Sequence, residues 1–225
     1  MVNLLAVGSD RSPARAREDY VKAIYQLGSS GPVRAAALAR YLGVSRVSVS
    51  KAKRLLEKDG LLESGESASD PLCLSARGRK LAVAMVRRHR LLETFLHRTL
   101  RVPLERVHAE AERIEHAISD DIAARIATLL RHPKRDPHGH PIPYDDAVVR
   151  RALPSLADLK VGERVRVVSL DDRDDDAVAA LATAGVLPGC SLQVQARDAR
   201  GLVVRRGRRS LSLSRRHAAM VRVAP

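Results

Sequence analysis

Apolar residues recur with a helical period through the first part of the chain and alternate with polar residues from about Leu153 onward. After a loose tail over residues 1–14, Tyr20, Ile24 and Leu27 share one face of an amphipathic helix that Gly28 stops. A short helix then ends at Gly43. A second begins after Ser45, a good N-cap, and runs to Asp59-Gly60. Two helices joined by a short Gly-containing turn, the second opening on small polar residues, predict a helix-turn-helix. LLESGESASDPLCLS reads as strand, turn, strand, a wing, with Cys73 as a small buried hydrophobe. A long helix follows until Pro103 breaks it, then a helix holding HAEAERIEH, then one capped by Ser119-Asp120-Asp121. A proline-rich turn region precedes short strands, interrupted by the helix DDDAVAALATAGV, that suit a small barrel of SH3-like size. The last strand is read over AAMVRV. The expected fold is mainly α with small β parts. It comprises a winged helix-turn-helix over 1–82, a helical domain over 83–152 and the barrel over 153–225.

Composition sharpens this. The 225 residues are 45% hydrophobic but only 2% aromatic, so the cores must be built of Leu, Val, Ala and Ile. The net charge of +14 favours a polyanionic partner. Cys73 and Cys190 lie far apart and form no CxxC, so they imply no disulfide framework, and a reducing cytoplasm is the expected setting. The N-terminus lacks a secretory core, and no run approaches the roughly 18 apolar residues of a membrane span.

Two groups of residues carry chemistry. At the start of the second helix, Ser45, Arg46, Val47, Ser48, Ser50 and Lys51 form the set that reaches a DNA major groove in such motifs. Arg46 suits a guanine, Val47 a thymine methyl, and Ser48 and Lys51 phosphates or base edges. The second group is His108, Glu112, Glu115 and His116, at helical offsets that bring two imidazoles and two carboxylates onto one face. His89 and Glu93 repeat the four-residue spacing upstream. Imidazole and carboxylate without thiolate suit Mn(II), Fe(II), Co(II) or Zn(II). His97 falls on the His89 face and reads as a surface or supporting residue. His132, His138 and His140 read as a weak, accidental metal site. A small metallohydrolase is the competing class, but there is no HExxH and no loop rich in catalytic side chains.

The runs MVRRHRLLETFL, VHAEAERIEHAISDDI and RDPHGHPIP resemble the iron- and manganese-dependent repressors of the diphtheria-toxin-repressor type. EDYVKAIYQL and LGVSRVSVSKAKRLLEKDGL are similar to the same family. The resemblance covers nearly the whole chain from about Glu18. It implies a homodimer, with 83–152 as the dimerisation and metal-binding domain and a FeoA-like barrel. It implies two metal sites per subunit. One would use Asp19, Glu112, Glu115 and His116 and join the first helix to the dimerisation helices. The other would use His89, Glu93 and His108, with Asp174, or alternatively Asp176, from the barrel; Ala177 stands where the family has a Gln. Iron-responsive members have Met in place of Asp19 and Cys in place of Glu112, so the carboxylates here look like the manganese-responsive branch. Lys22 stands where two-domain manganese regulators have a glutamate, against a tightly spaced binuclear centre.

The implied activity is a Mn(II)-activated repressor of metal-uptake genes that binds a palindromic operator. An Fe(II)- or Zn(II)-responsive regulator is the alternative, and Co(II), Ni(II), Zn(II) or Cd(II) are possible surrogates. Metal held by both domains would fix the two recognition helices of a dimer about 34 Å apart, one turn of DNA.

Overall fold

The computed structural model describes residues 12–65, 67, 70–145 and 153–225. Most of the tail expected over 1–14, and part of the expected wing, lie outside the described residues. The chain divides into two compact units, Met1–Arg87 with Pro143–Arg151, and Arg88–Ile142 with Ala152–Pro225.

The first unit holds α1 (Pro13–Gly28), α2 (Ala35–Leu42), α3 (Arg46–Lys58) and the start of α4 (Ala76–Arg98). Local chemistry sets these boundaries. Ser12 accepts from the Arg15 N–H and Pro13 opens α1, where its missing donor costs nothing. Gly43 ends α2 in the left-handed region at φ 65°, and Ser45 accepts from the Ser48 N–H to start α3. Val21, Ile24, Val33, Leu38, Val49, Leu56, Leu62 and Leu72 form the core beneath these helices.

The wing is slighter than its sequence pattern predicts. Among the described residues, one isolated bridge, Leu62 to Leu74, joins its two arms. Pro71 lacks a ladder donor, and Leu72 N–H instead bonds the Val33 carbonyl. Cys73 is exposed, with Leu72 and Leu74 buried on either side. The alternation was legible, but the apolar face belongs to the leucines.

The second unit contains the rest of α4, then α5 (Leu104–Ile114), a single 3₁₀ turn over Glu115–Ala117, and α6 (Asp120–Leu129). The barrel follows: β1 (Arg164–Leu170), α7 (Asp175–Thr183), β2 (Ser191–Arg197), β3 (Gly201–Arg206), β4 (Arg209–Ser214), α8 (Arg215–Met220) and β5 (Val221–Ala224). Its antiparallel sheet has the order β4-β3-β2-β1-β5. Val165, Val167, Leu192, Val194, Leu202, Val204, Leu213, Val221 and Val223 alternate into its core. Ala218, Ala219 and Met220, expected as strand, form α8 instead, because Ser214 caps a helix by accepting from the His217 N–H.

One loop binds the helices of this unit to the barrel. The His138 carbonyl accepts from the Leu170 N–H of β1 at 2.9 Å. Gly139, at φ 93°, lies so close that an added Cβ would sit 2.1 Å from the Val168 carbonyl oxygen. Gly139→Ala is therefore expected to destabilise the protein by roughly 2–5 kcal/mol, combining left-handed strain and overpacking. Urea unfolding checks this, and an unchanged midpoint would contradict it.

Candidate metal centre

The Glu93 side chain is fully buried at the centre of a polar cluster. His89 Nε2 lies 3.0 Å from Glu93 Oε1, His108 Nδ1 lies 3.3 Å from it, and the two ring nitrogens are 3.2 Å apart. Three donor atoms at these separations form one face of a polyhedron around a cation with bonds of about 2.1 Å. Around them stand His138 Nδ1, 3.7 Å from Glu93 Oε1, and Asp172 Oδ2, 3.7 Å from His108 Nδ1 and 3.8 Å from His138 Nδ1. His140 Nδ1 sits 3.4 Å from Asp172 and 3.3 Å from Asp136.

Two groupings within this cluster, His89/Glu93/His108 and Glu93/His138/Asp172, have the closeness of metal ligands and share one carboxylate. Glu93 Oε2 and His138 Nδ1 are buried without a hydrogen-bond partner. Orphaned lone pairs in a protein interior are costly, and a cation would satisfy them. The donor set thus fits a divalent metal.

The electrostatics agree. Burial alone would raise the Glu93 carboxyl, but His89, His108 and His138 outweigh it and hold Glu93 well below its usual range. Burial likewise opposes ionisation of Asp172, yet His108 and His140 bring it down to about 2. Both carboxylates are anionic at neutral pH. His140 is driven up to about 9, because Asp136 and Asp172 overcome its burial, and His108 is also raised.

The second expected ligand group begins where α5 ends. The sequence predicted a continuous helix over 108–116, but α5 stops at Ile114 and Glu115–Ala117 tighten into a 3₁₀ turn. Arg88 holds that turn, donating to the Glu115 carbonyl and pairing with Asp120 at 2.8 Å. Glu115 is consequently buried. Its Oε2 lies 2.6 Å from His89 Nδ1 and its Oε1 3.5 Å from His116 Nε2. Glu112 stays half-exposed, its carboxylate 4.0 Å from His108 and grouped with His89 and Glu115. Asp19 lies on α1 of the first unit, partly buried.

The barrel's contribution differs from the sequence reading. Asp174, the expected ligand, caps α7 by accepting from the Ala177 N–H and pairs with Arg216. Both oxygens are thereby engaged away from the cluster, and Asp176 lies exposed on α7. Asp172 takes the place instead. Adjacent aspartates made the register unreadable from the sequence, and only the closure of the barrel fixes it. His138 is also no accidental neighbour, since the Pro-His-Gly turn aims it at Glu93. His97 Nδ1 lies 3.0 Å from the Val102 carbonyl.

On α3, Arg46, Val47, Ser48, Ser50 and Lys51 are all exposed, and Val47 keeps 64% of its surface free. A valine so open on a polar helix face suits an apolar base-edge contact. Ser45 is spent on the cap, its hydroxyl 2.9 Å from that of Ser48. Arg54, exposed one turn beyond Ser50, shares the face and was not singled out from sequence; the four-residue spacing is its signal.

Comparison with known proteins matches these parts in order. Residues 14–66 match the iron-dependent repressor N-terminal DNA-binding domain, 75–144 the iron-dependent repressor metal-binding and dimerisation domain, and 155–225 the FeoA domain. The chain is 35% identical to the iron-dependent repressor IdeR of Mycobacterium tuberculosis over 206 residues, covering 83% of this chain and 86% of that protein. It is 31% identical to the diphtheria toxin repressor of Corynebacterium diphtheriae over 194 residues, covering 80% and 84%. A solved manganese-dependent transcriptional repressor in complex with manganese superposes with a TM-score of 0.82 at 35% identity, covering 92% of this chain and 99% of that one. The buried imidazole–carboxylate cluster, the exposed face of α3 and these three matches together place the chain in the diphtheria-toxin-repressor family of metal-dependent transcriptional repressors.

Proposed function

We propose that this repressor is activated by Mn(II) and controls metal-uptake genes from a palindromic operator in the cytoplasm. The observation that carries the metal choice is the donor set. Every side chain in the clusters offers imidazole nitrogen or carboxylate oxygen. Cys73 and Cys190 belong to neither grouping. Hard oxygen donors favour Mn(II), whereas thiolate or thioether would favour softer ions. The similarity to a manganese-dependent repressor supports this. A second reading, Fe(II), has its own support in the likeness to an iron-dependent repressor and in the three imidazoles of His89, His108 and His138.

His89, Glu93, His108, His138 and Asp172 would hold one metal region. Glu112, Glu115 and His116 would supply the ligands of the other, with Asp19 added on the strength of the sequence resemblance alone. The bound cation supplies positive charge that neutralises buried carboxylates. The chain's residues do the rest. Arg88 fixes the Glu115 turn, and Leu100, Ile114, Ile122 and Leu129 leave apolar surface exposed, as an isologous dimer interface requires. Activation is a population shift, driven only by the higher affinity of metal for the DNA-competent state; each tenfold shift needs about 1.4 kcal/mol.

Anisotropy titration of the protein's own promoter DNA under anaerobic, chelator-buffered Mn(II), Fe(II) and Zn(II) separates the readings. Affinity rising at Mn(II) levels where Fe(II) does little supports the manganese reading, and the reverse supports iron. Glu112→Ala or His116→Ala is expected to abolish metal-dependent DNA binding while leaving the fold by circular dichroism. Unchanged operator binding at saturating Mn(II) would sink this mechanism.

Metal uptake should release protons, because His108, with its raised pKa, must give up its proton to bind. Affinity is therefore expected to climb as pH rises through the His108 titration, which lies above the ordinary histidine range. Calorimetry in buffers of different ionisation enthalpy reads the released protons; a buffer-independent enthalpy would contradict the assignment.

A further inference from the structure

The barrel is charged unevenly. Its carboxylates sit in turns or at the metal end: Asp158 and Glu163 accept from nearby backbone N–H groups, Asp198 holds the β2–β3 turn, and the run from Asp171 to Asp176 lies at or beside α7. The strands show the opposite. Strand alternation puts the valines and leucines inside, so Arg164 and Arg166 of β1, Gln193 of β2, Arg205 of β3, and Ser210 and Ser212 of β4 lie on the outer face. Register aligns Arg164, Gln193, Arg205 and Ser210 in one row across four strands. The β3–β4 hairpin adds exposed Arg206, Arg208 and Arg209 around Gly207 at the edge of this face, the Arg206 guanidinium lying beside Gly185 on the other side of the sheet.

Among the described residues, ion pairs in the barrel engage only Arg173 and Arg216; none neutralises the six arginines of the face and hairpin. Several are nonetheless held in place. Arg205 donates to Gln193 Oε1 at 2.6 Å, and Arg166 to the Gly189 carbonyl at 3.1 Å. Concentrating like charges without counter-charges is unfavourable unless a polyanion compensates them. We infer that this sheet face and hairpin form a second, sequence-independent contact for the phosphate backbone of double-stranded DNA.

The chemistry selects that partner. Arg, Ser and Gln are the side chains that commonly donate to phosphate oxygens, and the arginine fork fits them bidentately. The barrel contains no Phe, Tyr or Trp, so it offers no stacking platform for single-stranded bases. Its exposed large apolar residues are Val161 and Leu187, too few to enter a lipid surface. The inference rests on the DNA-binding reading above and adds a second element to it.

The test is the salt dependence of duplex binding by the full chain at saturating Mn(II). The variant Arg205→Ser, Arg206→Ser, Arg208→Ser, Arg209→Ser changes only exposed side chains, and Mn(II) binding should be unaltered. Each lost phosphate contact flattens the slope of log affinity against log salt by about 0.9, so a slope shallower by roughly two to four is expected. The loss should be equal on promoter DNA and on unrelated duplex. Wild-type slope and affinity in a variant that binds Mn(II) normally would overturn the inference. A wild-type chain that binds no duplex with any metal would instead overturn the DNA-binding reading itself.

Discussion

A carboxylate with no access to water governs the second unit. Glu93 is buried completely on α4, a position that would be ruinous for an unpaired charge. Three imidazoles surround it, brought by α4 itself, by α5 and by the loop at His138. Asp172 enters from the end of β1. The helices and the Pro-His-Gly turn must therefore be in place before this charge is compensated, and Asp172 adds a second anion that His108 and His140 offset. Gly139 lets the loop touch β1, and the 3₁₀ turn at Glu115 closes the other side of His89. Even so, some lone pairs in the interior remain unmatched by protein donors. The protein gathers buried donors that a cation would complete.

Much of this was legible as pattern. The N-cap at Ser45, the stop at Gly43, the break at Pro103 and the alternation in the barrel are local signals, and each depends on a few neighbouring residues. Spacing marked His89, Glu93 and His108 as candidate ligands, but their grouping into one site was implied by the family resemblance, and the structure brings the three together. What failed to show was decided by long-range closure. Asp172 and Asp174 are equivalent on paper, and only the capping of α7 and the pairing with Arg216 distinguish them. His138 lay in a proline-rich turn whose direction no periodicity encodes. Cys73 was misjudged because alternation gives two faces without naming the buried one.

Charge is divided in a way that bears on how the switch works. The chain carries a net +14 while a few buried carboxylates, Glu93, Glu115 and Asp172 among them, gather in the candidate metal groupings. A strongly basic protein has affinity for DNA in every conformation, since phosphate neutralisation and counterion release do not depend on one precise arrangement. That background raises the metal-free and metal-bound states together. It sets the floor of binding and contributes nothing to the switch.

The response to metal must consequently come from contacts that need a defined orientation. On the proposed reading Arg46, Val47 and Ser50 on α3 would make such contacts, because base edges are reached only when the helix lies correctly in the groove. If the metal-bound state gains about 3 kcal/mol from them over the metal-free state, operator occupancy changes roughly 100-fold while unrelated duplex is held equally by both. A basic surface of this size is then compatible with tight metal control. It keeps the repressor near DNA, and the buried carboxylates determine when it reads the sequence.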